Sequence, residues 1–534
     1  MAIRNKLHRG VSASAFAIAM IGGLTPAGVL AQTAQAETQD DQDEGQLVGD
    51  EEQDKDENVI IVSGFRESLE NAVREKKEND QIVESVSAED IGKLPDNSIG
   101  ESIARLPGVT SQRANGRANI IAIRGFGPDF STTLLNGREQ TSTNDNRGIE
   151  FDQFPSEVVS QVVIYKSPSA SVVGQGLVGT VDVRTIRPLE YGRQVLAIGA
   201  RGSYTDLGAL NTGSKEFGYR ANATYVDQFA DDTIGISLAA AYVDEPYQVQ
   251  EFNAWGYFDP NGGGNQAPSG SKSYVTSTQL KRLGINGTLQ WEATPNLMVT
   301  VDALYSNFKD EQIKRGIELP FSYFGATFDP TGATTEDGVF TSGAFDNVQG
   351  VVRNDRFDKE ADLYSGGLNI DYQGDDGWSA FFDFGYSRTD RVETSLQSYA
   401  GTGYNWRTPE TDPTDRITFT NDGTGLVFGN QLDYTDTNLI VLTDPLGWGG
   451  GNVQTGYENL RYVDDELKQF RVGVGKELDA GLLHKINLGL AYTDRDKALD
   501  ADESLLVLPG GATEAPIPSS VLLDPTQLSY LGLS

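Results

Sequence analysis

After Pro188 the spacing of apolar residues becomes two and stays two, and this alternation limits the fold more than any other feature of the chain. Leu196, Ile198, Ala200 and Tyr204 alternate with Ala197, Gly199, Arg201 and Ser203. Phe217 to Tyr225, Ile234 to Tyr242, Leu283 to Trp291, Leu297 to Phe308, Tyr364 to Tyr372, Trp378 to Tyr386, Phe470 to Leu478 and His484 to Tyr492 repeat the pattern. Period two sends alternate side chains to opposite faces of a β-strand. Segments of about 10 residues, apolar on one face, polar or glycine on the other and often ended by Tyr or Trp, fit strands that cross a bilayer around a wet lumen. A soluble β-sandwich with one buried face would alternate in the same way.

Connection lengths separate the two readings. Short links (Asp227 to Thr233, Glu292 to Pro295, Gln373 to Gly377, Asp479 to Leu482) alternate with long ones (Asp244 to Thr278, Lys309 to Asp362, Thr389 to Glu466). Membrane barrels keep short turns on one side and long loops on the other, whereas a sandwich has no reason for strict alternation. An odd set of segments does not close a bacterial barrel. The expectation is an antiparallel transmembrane β-barrel, incomplete in this chain, which is the N-terminal part of a longer one.

Composition removes several function classes. The chain has 534 residues and a formal net charge of -35, which repels a nucleic-acid backbone. It has no cysteine and two histidines, His8 and His484, so thiolate and His-rich metal sites are out of reach. Past the N-terminus, no run approaches the roughly 20 apolar residues of a spanning helix.

Arg4, Lys6 and Arg9 precede an apolar run from Val11 to Leu24, followed by Val29-Leu30-Ala31 and Ala34-Gln35-Ala36. This order predicts a secretory signal peptide over 1–36, cut after Ala31 or Ala36. From Glu37 to Glu57 the chain is dominated by Asp and Glu, with Lys55 the lone base, and reads as an acidic disordered tether. Residues 58–66 carry Val59-Ile60-Ile61-Val62-Ser63-Gly64, a β-branched run. It suits either strand addition to a partner's sheet edge or the first strand of a folded domain.

Between Ile82 and Thr185, strand-like runs are punctuated by tight-turn signals. Ile120 to Phe126 carries Arg124-Gly125, and Thr132 to Leu135 leads into Asn136-Gly137-Arg138. Ser68 to Glu78 reads as a short amphipathic helix. Ser98-Ile99-Gly100-Glu101 is a capping box, with Ile99, Ile103 and Leu106 behind it and Pro107-Gly108 as the stop. Gly174-Gln175-Gly176-Leu177-Val178-Gly179 matches G-x-G-x-x-G, but the alternating Thr180 to Thr185 predicts a strand after it. A dinucleotide site needs a helix there.

Leu106-Pro107-Gly108-Val109, Ile120 to Gly127, Thr132 to Arg138, Val162 to Pro168 and Gly176 to Thr185 resemble, in order and spacing, the plug domain of TonB-dependent outer-membrane receptors. The resemblance implies an α+β plug over 67–190, barrel strands over 191–534, and a TonB box at Val59, Ile60, Ile61, Val62, Ser63 and Gly64. It implies active import across the outer membrane, energised through TonB, with no catalytic residues, cofactor or metal. The other partners are outer-membrane lipid and a small solute.

Three plug loops would face outward, at Gln112 to Asn119, Pro128 to Ser131 and Thr141 to Gly148. They offer Arg113, Asn115, Arg117, Asn144, Asp145, Asn146 and Arg147 to a polar ligand. Arg124 and Lys166 would tie plug to barrel. Phe151 to Glu157 and Val163 to Ala170 resemble the branch associated with carbohydrate uptake, and Trp255, Tyr257, Tyr404 and Trp406 would stack on sugar rings. The acidic balance disfavours an anionic ferric chelate. A ferric siderophore is the alternative solute, and a passive porin-like barrel the alternative mechanism.

Overall fold

The computed structural model describes residues 72–87, 98–114, 117–154, 156–172, 176–405, 413–421, 423, 425–480 and 483–533. The expected signal peptide, tether and TonB box lie outside these residues.

A helix over 72–78 (α1) leads to β1 (Val83–Ser87), and α2 (Ile99–Ile103) follows. Ser98 caps α2, its Oγ accepting the Glu101 N–H at 3.3 Å and donating to the Ala118 carbonyl at 2.8 Å. A Cβ on Gly100 would stand 3.0 Å from that carbonyl, so glycine lets the helix approach the next strand closely. β2 (Val109–Ala114) pairs with β3 (Arg117–Ile123). β4 (Ser131–Leu135), β5 (Arg138–Glu139), β6 (Val159–Tyr165) and β7 (Gly179–Thr185) join β1 in a mixed sheet of order β1-β6-β7-β4-β5. Asn136 and Gly137 turn β4 into β5 with φ of 52° and 78°, the left-handed pair that a two-residue hairpin needs. Ile99, Ile103, Ile121, Ile123, Phe154, Val162, Ile164, Val181 and Val183 form the core of this domain. Each buried large aliphatic side chain contributes about 1.5–3 kcal/mol.

α3 (Pro188–Tyr191) hands the chain to a meander of long strands. These are β8 (Val195–Tyr204), β9 (Phe217–Phe229), β10 (Ile234–Ala254), β13 (Gly270–Thr294), β14 (Leu297–Pro320), β17 (Val351–Gln373), β18 (Trp378–Gly401), β22 (Gln454–Ala480) and β23 (Leu483–Val507). Short pieces lie between them: β11 (Tyr257–Phe258), β12 (Ala267–Pro268), β15 (Thr327–Glu336), β16 (Val339–Val348), β19 (Asp415–Asn421), β20 (Leu426–Gly429) and β21 (Val441–Leu442). The long strands pair in chain order, β23-β22-β18-β17-β14-β13-β10-β9-β8, all antiparallel, with β21 beside β18. Each of the alternating sequence segments falls in one of them.

Their outward faces carry exposed Leu196, Ile198, Leu238, Leu289, Val301, Phe382, Val472, Leu488 and Leu490. Aromatic side chains bracket this band. Trp291, Tyr372 and Trp378 stand near the short turns, and Tyr219, Tyr242, Tyr305, Tyr364 and Tyr386 stand further up. Tyr364 and Tyr372 are eight residues apart, about 26 Å along a strand. At the tilt of about 40° usual for such strands this rises about 20 Å, within an apolar band about 25 Å tall.

From β10 onwards the long strands run 21 to 27 residues, much longer than the expected 10, and the expected long loops shrink accordingly. β14 and β17, for example, stay in register from Leu297↔Tyr372 to Glu318↔Val351. Above the lipid both faces are wet, so alternation fades while backbone pairing continues. Lys309–Glu360 (2.7 Å) and Lys281–Glu311 (2.7 Å) mark this wet zone. Beyond it β15, β16, β19 and β20 form a four-stranded sheet over a second core of Phe321, Phe340, Phe345, Ile417, Phe419, Phe428, Leu531 and Leu533.

Candidate functional site

The α+β domain contacts the inward face of the strand sheet at three levels. At the level nearest the short turns, the β4–β5 turn presents Arg138 to the wall. Its Nη1 donates to Asp302 of β14 at 2.7 Å, and its Nε donates to both oxygens of Asp383 of β18 at 3.1 Å. Arg471 of β22 shares Asp383 at 2.9 Å, and Asn136 Nδ2 donates to Asp302 at 3.0 Å. Gly367 and Gly385, paired across β17 and β18, make the room. A Cβ at Gly367 would overlap the guanidinium, and one at Gly385 would come within 2.8 Å of Arg138 Cδ. Beside this contact lies a cavity of about 500 Å³ lined by Asn136, Arg138, Arg187, Gln290, Glu292, Thr300, Asn369, Asp371 and Arg471.

At the middle level Arg117 of β3 is buried. It pairs with Asp310 of β14, stands 3.6 Å from Asp152, and stacks under Tyr247 and Phe308. Arg282 of β13 donates to the Asp152 carbonyl, and Ser306 donates to the Gln153 carbonyl at 2.7 Å. Burial pushes the Asp152 carboxyl up to about 6, with the negative charge of Glu150 adding to the rise and Arg117 opposing it. Arg117, Asp152 and Arg282 each keep a buried polar atom without a hydrogen bond among the described residues. The interlock is therefore incompletely satisfied.

At the outermost level residues 141–150 lie under strand cations. Thr141 Oγ1 meets Ser387 (2.8 Å) and Thr389 (2.7 Å), and the Ser142 N–H donates to Asp465 at 2.9 Å. Lys359 holds Glu150 at 2.8 Å. Burial would raise the Glu150 carboxyl, but Lys359 and the Thr143 hydroxyl outweigh it and hold it below the usual range. Arg391 donates to the Thr143 carbonyl (2.8 Å) and to Asp145 (2.9 Å), Arg461 takes the other Asp145 oxygen, and Lys497 donates to the Ser142 (3.0 Å) and Asn146 (2.7 Å) carbonyls. Burial acts to raise the Asp145 carboxyl, and the two guanidinium groups more than offset it.

The sequence-predicted residues are thus distributed unevenly. Asn144, Asp145, Asn146 and Arg147 sit together on the outermost loop, where Asn144 closes the turn on the Gly148 carbonyl (2.8 Å) and Arg147 reaches Thr132 (3.4 Å). Arg113 is exposed and pairs with Glu101 at 2.9 Å. Arg117 is not at an outward loop surface but buried against the wall, because β3 runs it under Phe308. Asn115 and Trp406 lie outside the described residues. Lys166 is turned into its own domain, on the Pro107 carbonyl and 3.4 Å from Glu84. Arg124 is exposed at a turn with φ of 54°. The wall contacts expected of Arg124 and Lys166 are made instead by Arg138 and Arg117. Sequence reasoning missed Asp302, Asp383, Asp310, Lys359, Arg391 and Arg461. The one available signal was charge on the inward face of an otherwise alternating strand.

Among the described residues no group of His, Asp and Glu is placed to hold a metal ion. A small α+β domain seated by ion pairs on the polar face of an up-and-down sheet, whose other face is apolar and ringed with aromatics, defines a plugged outer-membrane barrel. Residues 75–181 match the family described as TonB-dependent Receptor Plug Domain, so the chain carries the plug of a TonB-dependent receptor, a class of Gram-negative outer-membrane protein. It is 26% identical over 275 residues to the "Ferric enterobactin receptor PirA" of Pseudomonas aeruginosa, covering 48% of this chain and 34% of that protein. It is 32% identical over 117 residues to the "Probable TonB-dependent siderophore receptor PirA" of Acinetobacter baumannii, covering 18% and 15%. The crystal structure of the siderophore receptor PirA from Acinetobacter baumannii aligns over 81% of this chain and 79% of that one, at 13% identity and a TM-score of 0.32. The matches to the curated relatives span about a third of their length or less.

Proposed function

We propose that the chain captures a ferric siderophore at its outer face and admits it past the plug when TonB pulls the N-terminal arm. No bond is made or broken in this reading, and iron travels as chelated cargo. The observation that carries it is the polar, ion-paired seam between plug and strand wall. Charged contacts exposed to entering water are exchanged for hydration at small net cost, so a pull can release them, whereas an apolar seam would resist. The names of the similar proteins favour the siderophore over the carbohydrate expected from sequence. Val59 to Gly64 remain the proposed TonB-binding strand. Asn144, Asn146 and Arg147 remain proposed apical contacts, and Asp145 stands among them on the same loop.

The test is to delete Val59 to Gly64 from the full-length receptor and follow radiolabelled ferric-siderophore uptake and surface binding in iron-starved cells. Uptake is expected to vanish while surface binding persists. Unchanged uptake would instead mark a passive pore.

A further inference from the structure

We propose that Arg391 and Arg461 on the inner wall form a binding site for an anionic group of the incoming ligand, and that Asp145 of the plug occupies this site until the ligand displaces it. The proposal rests on the import reading above and names the chemistry its solute must carry.

Among the described residues four cations, Lys359, Arg391, Arg461 and Lys497, contact loop 141–150, and a fifth, Arg495, reaches it through Asp465, which accepts the Ser142 N–H. Three of them have their own carboxylates. Lys359 is matched by Glu150, and Arg495 (2.6 Å) and Lys497 (3.3 Å) share the buried Asp465. Among the described residues Arg391 and Arg461 divide the carboxylate of Asp145, with Glu393 3.5 Å from Arg391 as the other acid on that guanidinium.

The two sides of this contact differ in exposure. The Arg391 side chain is 3% exposed, and its Nε has no hydrogen-bond partner among the described residues. Asp145 is 41% exposed and Arg461 29%. A desolvated guanidinium thus waits behind an exposed, replaceable carboxylate. Arg391 is already stripped of water, so exchanging one anion for another on it adds no new desolvation on the wall side, and a chelate with several negative charges outcompetes one carboxylate.

The arrangement also reverses the chain's overall charge. A net charge of -35 repels anions at long range, but a cation cluster inside a low-dielectric lumen sets the local potential. Displacing Asp145 removes the link from loop 141–148 to β18 and β22 through that side chain, so capture of the ligand itself loosens the plug's outer edge.

The experiment uses the full-length receptor in detergent and two probes, the ferric complex of a tris-catecholate (an anion) and that of a neutral tris-hydroxamate. Asp145→Asn should bind the tris-catecholate several-fold tighter than wild type. Arg461→Gln and Arg391→Gln should weaken it about tenfold, and the hydroxamate should respond to none of the three. Arg388→Gln, on the outward face of β18, should change nothing. Hydrogen exchange of the amides in 142–147 should speed up when the tris-catecholate is added to wild type. Equal or weaker binding by Asp145→Asn, or unchanged binding by Arg461→Gln, overturns the proposal. A hydroxamate that is imported normally would then leave TonB-coupled import standing, whereas import that survives loss of residues 59–64 sinks that reading whatever Arg391 does.

Discussion

The outer cap and the plug seam are both interfaces between segments far apart in sequence, yet they are built from opposite materials. In the cap, Phe321 stacks on Phe345 at 4.6 Å and Phe345 on Phe419 at 5.7 Å, and Phe328 packs tilted against Phe340 at 4.7 Å. At the seam, Arg138, Asp302, Asp383, Arg117, Asp310, Glu150 and Lys359 supply most of the contacts, with Leu304, Leu363 and Ala239 as the main apolar patches. Aromatic packing resists water at every stage of separation. Ion pairs hold only while dry and give way once water enters. The difference fits a cap that must keep its shape and a plug that must let go.

Five substitutions break or sharpen that contrast. The largest effect is expected from Phe345→Ala, fully buried at the centre of the cap. It should cost about 3–5 kcal/mol, read as early proteolysis of the cap with the plug still protected. Equal loss of plug protection would erase the distinction between the two regions. Next, Arg138→Ala leaves Asp302 with only Asn136 and Arg187 at 3.9 Å, and Asp383 with Arg471 and Asn369, a loss of about 3 kcal/mol. Thermal melting should reveal it, and hydrogen exchange should place it in β4 and β5 rather than in the cap. Gly385→Val should reproduce that loss by filling the space of Arg138. A melting temperature that ignores either change would mean the seam is not held there.

A smaller effect belongs to pH. Asp152 has its folded-state value raised to about 6 from 3.8, so the folded form binds the proton more tightly than the unfolded one. Stability is therefore highest below about pH 4 for this group and falls as pH rises towards 6, by about 1–3 kcal/mol at roughly 1.4 kcal/mol per unit. Asp152→Asn should flatten the slope of melting temperature against pH across that window, and an unchanged slope would remove Asp152 as its source. The smallest effect is that of Ser98→Ala, which removes the α2 cap and should cost about 1 kcal/mol. It lies inside the plug core, so it should leave seam and cap exchange rates alike untouched.

Much of the architecture was legible in residue order. The Asn136-Gly137 turn, the capping box at Ser98, the strand after Gly179 and the short turns near Ala230, Pro295 and Asp375 all follow from local backbone preferences, which act over a few residues. The true lengths of β13, β14, β17, β18 and β22 were not legible. Alternation records a difference between two faces, and that difference ends where lipid ends. The roles of Arg117, Arg124 and Lys166 were assigned by resemblance, and the structure distributes them otherwise because Phe308, Tyr247 and Glu84 decide which of these side chains is covered.

The sequence by itself determined the strand order and the faces of each strand, since these depend on spacing and turn chemistry, while the plug was placed by its resemblance to a known family. Only the tertiary structure decided which charges meet. Arg138 finds Asp302 and Asp383 across 164 and 245 residues, and Arg391 reaches the Asp145 carboxylate across 246. A pairing at such separation leaves no trace in local pattern, because it is set by how the plug seats against the wall and where Gly367 and Gly385 leave room.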